Sequence, residues 1–219
     1  GRGLPPLCKY EFHSQPSAII TVGDGANPDP SPRHSPWDAL ACQVEDRAAV
    51  YAFFERRQAT NTTDRRLRID ELVKVDNAHR VSDFARAGSS GRFFVNPLEA
   101  HRQGGDSLLF HGCPPDVAAN IPATGLVVPG THGVRVANGA MLGCGVYGAP
   151  DPRKSVRYCS RDRPPPPNQD KFMFICRFNL SNAQHAGPST PHPNTTYDEF
   201  CVSSARSVVV LWMLKVSPA

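Results

Sequence analysis

The stretch Gly143-Cys144-Gly145-Val146-Tyr147-Gly148-Ala149-Pro150-Asp151-Pro152-Arg153-Lys154-Ser155-Val156-Arg157-Tyr158-Cys159 decides how this chain is read. Val146-Tyr147 reads as a short strand and Pro152 to Ser160 as a helix. Glycines on both sides of Tyr147 strip away bulk, so a ligand can reach the ring and the backbone beside it. Ser155 and Tyr158 are three residues apart and share a helix face. Taken alone, two core tyrosines and a surface serine explain the run as well as a ligand site does.

Two further segments give the run its meaning. Upstream, Leu108-Leu109-Phe110-His111-Gly112-Cys113 reads as an apolar strand ending at His111. A strand-end histidine beside glycine leaves backbone N–H and C=O groups open to a flat polar group. By itself, a satisfied structural histidine is the commoner explanation. Downstream, Tyr197-Asp198-Glu199-Phe200-Cys201-Val202 reads as a strand. A carboxylate inside it is costly unless exposed or paired. A water-facing glutamate on an edge strand explains Glu199 equally well. Together the three segments place a His, two Tyr, a Ser and a Glu at the ends of separate elements, a layout for gripping one small polar ligand.

The 219 residues suffice for one large domain, or a domain with an N-terminal extension. Hydrophobic residues make up 40%, enough for a core. The net charge of +4 arises from 24 Lys and Arg spread along the chain, so a nucleic-acid partner is open but not indicated. No apolar run approaches the roughly 20 residues of a membrane span. The opening Gly-Arg-Gly-Leu-Pro-Pro lacks the charged-then-apolar pattern of a secretory leader. The seven cysteines form no Cys-x-x-Cys pair, which argues against a zinc site or a disulfide framework. Cys144, Cys159, Cys176 and Cys201 fall in predicted strands or a helix, where a free thiol behaves as a small hydrophobe. A reducing intracellular compartment, cytoplasmic or nuclear, is the simpler reading. Glycosylation-type triplets at Asn61, Asn179 and Asn194 weigh little against it, because such triplets arise by chance.

Residues 1–35 are rich in Pro, Gly, Ser and Asp and read as irregular, with one candidate strand at Ala18–Val22. Ser35-Pro36-Trp37-Asp38 reads as a helix start, and Trp37, Leu40, Val44, Tyr51 and Phe54 recur at helical spacing. A strand to Val44 followed by a helix through Phe54 is the alternative. Leu67, Ile69, Val73 and Val75 alternate as in a half-buried strand. Asp76 or Asn77 then caps a short helix with Val81 and Phe84 inward, closed by Gly88. Beyond Ser107 come a strand, helical turns from Pro114 to Gly125, and a glycine-rich loop from Val127 to Ala140. After the opening run come an exposed polyproline spacer at Pro164–Pro167 and strands at Phe172–Leu180, Glu199–Ser203 and Val208–Val216. Many short strands, few helices and no long parallel repeat predict an α+β fold with mostly antiparallel sheets. Three parts are expected: an irregular segment 1–35, a helix-and-strand part 36–106, and a core 107–219.

In order and rough spacing, the three segments resemble the PARP-type ADP-ribosyltransferase catalytic domain, the diphtheria-toxin-like class marked by a His, a Tyr and a Glu. Leu109-Phe110-His111-Gly112 is similar to the family's His-Gly strand. Gly143-Cys144-Gly145-Val146-Tyr147 is similar to its Gly-x-Gly-Ile-Tyr-Phe strand, and Lys154-Ser155-Val156-Arg157-Tyr158-Cys159 to its Lys-Ser-x-x-Tyr-Cys helix. Asp198-Glu199-Phe200-Cys201-Val202 is similar to its Asn-Glu-Tyr-x-Val strand. The resemblance covers about residues 107–217, and Val73-Lys74-Val75-Asp76-Asn77 resembles, more loosely, a preceding strand and helix start. It implies two packed, mostly antiparallel sheets with flanking short helices, and NAD as co-substrate with no metal. It further implies that Tyr147 and Tyr158 sandwich the nicotinamide ring, while the Gly112 backbone and the Ser155 hydroxyl hold its carboxamide. His111 would hold the adenosine-side ribose and Glu199 would reach the nicotinamide-ribose 2′-hydroxyl. Glu199, His111 and Tyr147 are thus the expected catalytic set, and His111, Gly112, Tyr147, Ser155 and Tyr158 the expected NAD-binding set.

Some features depart from the family. Gly148 stands where a bulky residue is usual, which predicts a looser pocket wall. The stretch between Leu180 and Tyr197 is shorter than in polymer-forming members and rich in Pro, His, Ser and Thr. The residues before the core are too short and irregular for the helical autoregulatory domain. The expected reaction is therefore release of nicotinamide with transfer of single ADP-ribose units to a macromolecular acceptor, protein ahead of nucleic acid. The chain is expected to act as a monomer without a membrane partner, and Glu199 keeps polymer synthesis open. Alternatives are an NAD glycohydrolase and a silent NAD- or ADP-ribose-binding module. An RNA 2′-phosphotransferase on a similar fold would need pocket arginines in place of Tyr and Glu, an arrangement not seen in the sequence.

Overall fold

The computed structural model describes residues 44, 46–58, 63–76, 78–129, 141–162, 166, 169–188, 190 and 196–219. They carry α1 (Arg47–Arg57), β1 (Leu67–Lys74), α2 (Ala78–Arg86), α3 (Pro97–Gln103), β2 (Asp106–Cys113), and the single turns α4 (Pro115–Ala118) and α5 (Ile121–Thr124). Next come β3 (Val146–Gly148), α6 (Pro152–Ser155), β4 (Lys171–Asn179), β5 (Gln184–Ala186), β6 (Glu199–Val202) and β7 (Val208–Pro218). The strands form a four-stranded sheet of order β1-β7-β4-β2 and a three-stranded sheet of order β3-β6-β5. Every strand pairing is antiparallel. The α+β class and the two antiparallel sheets are as the sequence predicts.

Alternation along β4 explains how the layers stack. Met173 and Ile175 project into a cluster with Val50, Phe53 and Phe54 of α1. Phe174, Cys176 and Phe178 project the other way, into a cluster with Phe200 and Val202 of β6. Successive strand side chains point to opposite faces, so β4, apolar without a break from Phe172 to Cys176, needs cover on both sides. Helix α1 covers one face and the small sheet the other. β2 lies at the edge of the large sheet, and its outer edge meets the small sheet. The Phe110 N–H donates to the Ala149 carbonyl at 2.8 Å, and the Ala149 N–H returns to the Phe110 carbonyl at 2.9 Å. That pair of bonds sets the angle at which β3 leaves β2.

Several local expectations change. Helix α1 starts at Asp46, whose backbone is extended and whose side chain accepts from the Ala49 N–H at 2.8 Å. One continuous helix from Ser35 to Phe54 is therefore excluded at Asp46, and residues 35–43 lie outside the described residues. Tyr51 is exposed, and Val50, Phe53 and Phe54 form the buried face instead. In β1 a bulge between Ile69 and Glu71 shifts the phase, so Leu72 is buried and Val73 only half-buried. Strand β5 falls in a stretch where the sequence carries no strand pattern. The candidate strand at 18–22, the loop residues 130–140 and most of the polyproline run lie outside the described residues. No helix among the described residues is long and apolar enough to cross a membrane.

Candidate active site

The three segments singled out in the sequence line one cleft of about 560 Å³, a volume ordinary for small-ligand sites. His111, Gly112, Tyr147, Ser155, Tyr158 and Glu199 all contribute to its walls.

Gly112 lies within β2 rather than beyond its end, because pairing with β4 continues through Cys113 opposite Phe172. Its neighbour His111 therefore sits two residues before the strand end. Alternate residues of an antiparallel strand direct their N–H and C=O groups to the same edge. Since Phe110 bonds outward to Ala149, the backbone groups of Gly112 also point to the outer edge, where the cleft lies. A Cβ at Gly112 would run into the Ser155 carbonyl oxygen and come within 3.1 Å of Cys159 Sγ. Glycine is needed here so that α6 can press directly on β2.

Helix α6 is held in that position by short-range chemistry. Asp151 caps it by accepting from the Arg153 N–H at 2.8 Å, and the Arg153 guanidinium returns to the same buried carboxylate at 2.6 Å. Pro152 fills the first helical position. The Ser155 hydroxyl donates to the Phe110 carbonyl at 2.8 Å, so its lone pairs remain to accept from a ligand. After Ser155 the expected α-helix tightens into the 3₁₀ turn Val156–Tyr158 and ends there. In that geometry residues three apart eclipse, so Ser155 and Tyr158 still share a side.

Tyr147 is fixed at both ends of its ring. Its backbone pairs with Cys201 of β6, and its hydroxyl donates to the Gly143 carbonyl at 2.7 Å while accepting from the Leu142 N–H at 2.9 Å. Burial raises the pKa of this hydroxyl, so it stays protonated. The next residue, Gly148, is part of the cleft wall, and a side chain there would point into the core. A Cβ there would lie 2.7 Å from Phe178 Cζ and 3.0 Å from Leu109 Cβ, both in the core between the sheets. Phe178 fills the space that a larger residue at 148 would occupy.

His111 Nδ1 lies 2.7 Å from the Tyr147 carbonyl oxygen. A carbonyl only accepts, so Nδ1 carries the hydrogen and Nε2 is left as an acceptor. Burial lowers the imidazole pKa, although the Tyr147 carbonyl works the other way, and the ring is neutral at pH 7. Glu199 is 3% exposed and paired, its Oε2 3.3 Å from Lys154 Nζ. The same ammonium lies 5.6 Å from the Tyr158 ring centroid. A water-facing edge glutamate is thus excluded. Lys154, the ion-pair partner of cleft-lining Glu199, is a residue that the sequence pattern does not single out, and its place one residue before Ser155 is the signal it carries. Cys144, expected in a strand, is instead exposed in the bend before β3 and lines the cleft. Among the described residues no three His, Cys, Asp or Glu side chains gather to hold a metal ion.

Tyr197 locks the approach to β6. Its hydroxyl donates to Asp64 Oδ2 at 2.7 Å, and the Arg157 guanidinium reaches the same oxygen at 2.5 Å. The Tyr197 hydrogen bond, followed by Arg157, holds the Asp64 carboxyl below its ordinary pKa.

A family model of the poly(ADP-ribose) polymerase (PARP) catalytic domain matches residues 45–214, most of the chain. No curated protein matches it. The chain belongs to the PARP catalytic-domain family.

Proposed function

We propose that this PARP-family domain cleaves NAD at the nicotinamide–ribose bond and transfers single ADP-ribose units to a macromolecular acceptor, in the first instance a protein. The convergence of His111, Gly112, Tyr147, Ser155, Tyr158 and Glu199 on one cleft carries this reading.

Each group suits a part of NAD. The nicotinamide ring is flat and stacks between Tyr147 and Tyr158. Its carboxamide oxygen accepts from the Gly112 N–H, and its amide hydrogens reach the Gly112 carbonyl and the free lone pairs of Ser155. This division follows from the commitment of the Ser155 hydrogen to Phe110. Neutral His111, with Nε2 open as an acceptor, takes a hydroxyl hydrogen from the adenosine-side ribose. Glu199 accepts from the 2′-hydroxyl of the nicotinamide ribose.

The chemistry then needs little more. The ribose C1′–N bond breaks, its electron pair leaves with neutral nicotinamide, and positive charge builds on C1′ and the ring oxygen. The Glu199 carboxylate faces that charge from a buried position, where a preorganised charge acts strongly. The acceptor nucleophile bonds to C1′ and its proton passes to Glu199 and on to solvent. Lys154 positions the carboxylate through the 3.3 Å ion pair.

Incubation with labelled NAD and candidate acceptors, followed by intact-mass measurement, tests the reading. Additions of one ADP-ribose unit per site support it. A ladder would replace mono-transfer with polymer synthesis. Free ADP-ribose without any modified acceptor would mean that water is the acceptor. No turnover despite NAD binding would leave a silent module.

A further inference from the structure

NAD brings a diphosphate with two negative charges into a cleft whose lining is mostly neutral. Among the described residues that line it, Arg161 is the sole lysine or arginine. Nearby cations are directed elsewhere: Lys154 to Glu199 at 3.3 Å, and the Arg80 guanidinium to the Thr124 carbonyl. Arg161 follows the turn that carries Tyr158, and its guanidinium donates to Asp116 Oδ2 at 2.6 Å. Asp116 belongs to α4, three residues beyond Cys113 at the end of β2, and also lines the cleft. Both side chains are more than half exposed, at 57% and 60%, so the pair lies on the solvent side of the cleft lining.

We propose that Arg161 is the diphosphate-binding residue, leaving Asp116 to grip the NAD phosphates when substrate enters. The inference rests on the NAD reading of the cleft. An ion pair as exposed as this one contributes little net stability, because water screens it and two flexible side chains are held in one pose. Its release therefore opposes binding only slightly. A diphosphate offers the guanidinium a bidentate, charge-assisted partner of higher charge than a single carboxylate. Asp116 keeps the guanidinium over the cleft in the free protein.

Calorimetric binding of two probes, nicotinamide and ADP-ribose, to the wild type and Arg161→Gln separates the possibilities. Nicotinamide lacks phosphate, so its affinity should be the same in both proteins. ADP-ribose affinity should fall about tenfold in Arg161→Gln, and its salt dependence should flatten because one charge contact is gone. An unchanged ADP-ribose affinity, with nicotinamide bound normally, overturns the role of Arg161. Equal weakening of both probes also overturns it, since it would make Arg161 a structural residue. If the wild type binds neither probe, the NAD reading itself fails.

Discussion

At Gly112 the chain tolerates no side chain. Gly112→Ala forces a Cβ against the Ser155 carbonyl, and overpacking of this kind costs about 1–3 kcal/mol. We expect a lower denaturation midpoint together with weakened nicotinamide binding, because the backbone that gives way is the backbone we propose holds the carboxamide. Glu199 behaves differently. Glu199→Gln keeps the shape and removes the charge, so transfer should fall by about 10²–10³-fold. Nicotinamide affinity should hold, and an unchanged transfer rate would remove Glu199 from the reaction. His111 gives a pH signature. Burial depresses its folded-state pKa below the ordinary value near 6.5, so the unfolded chain takes up a proton first as pH falls. The stabilisation is complete above the unfolded pKa and is lost progressively as pH drops towards the folded one. Unfolding free energies measured between about pH 7.5 and about pH 5.5 should fall more steeply in the wild type than in His111→Asn.

The elements β3 and β6 divide their side chains between cleft and core. Tyr147 and Glu199 line the cleft, while Phe200 serves the core between the sheets and its partner Gly148, whose backbone also lines the cleft, would turn a side chain towards that core. Phe178→Ala should cost about 3–5 kcal/mol by opening a cavity beneath Gly148, and Gly148→Leu alone about 1–3 kcal/mol by overpacking. Combined, the larger residue at 148 fills the cavity, so the double variant should be more stable than the sum of its parts by about 0.5–3 kcal/mol. Strict additivity in denaturant unfolding would show that the two positions do not share space. This division also explains what was legible in the sequence. His111, Tyr147, Ser155, Tyr158 and Glu199 stood out because polar groups and glycines interrupt otherwise apolar elements. The direction of Gly148 was hidden, because its neighbour Phe178 lies on a distant strand. Lys154 was hidden too, since a lysine on a helix ordinarily faces water and only the β6 carboxylate draws it in. Strand β5 has no pattern of its own. It exists because β6 offers an edge, and His185 stacks on Phe200 there at 4.7 Å between ring centroids. Likewise the bulge in β1 answers to its pairing with β7, which no local periodicity reports.

Across the whole molecule, a buried ion pair and the cleft lie at opposite ends of β2. Its C-terminal end carries His111 and Gly112, and its N-terminal end carries Asp106, on the order of 20 Å away at ordinary strand rise. Asp106 and Arg177 form an ion pair in which both side chains are almost wholly buried. The pair fastens the segment after β1 to the large sheet. Ser89 Oγ donates to Asp106 Oδ2 at 2.7 Å, and the Arg177 guanidinium lies 5.5 Å from the Phe84 ring centroid and 5.7 Å from that of Phe93. The arrangement is not cheap. Asp106 Oδ1 is buried without a hydrogen-bond partner, and burial raises the Asp106 pKa despite the adjacent guanidinium. Removing one partner should therefore be far worse than removing both. Arg177→Met leaves an uncompensated buried carboxylate and should cost about 3–5 kcal/mol, whereas Asp106→Leu with Arg177→Met should recover most of that loss. Denaturant unfolding measures both variants, and a double variant as unstable as the single one would mean that the pair adds net stability. Nicotinamide affinity, measured well below the unfolding transition, should be the same in the double variant as in the wild type, because Ser89, Phe84 and Phe93, which contact the pair, do not line the cleft. A fall in affinity there would mean that the register of β2 at its far end depends on this ion pair, and that the cleft is held by the whole strand rather than by the contacts around Gly112.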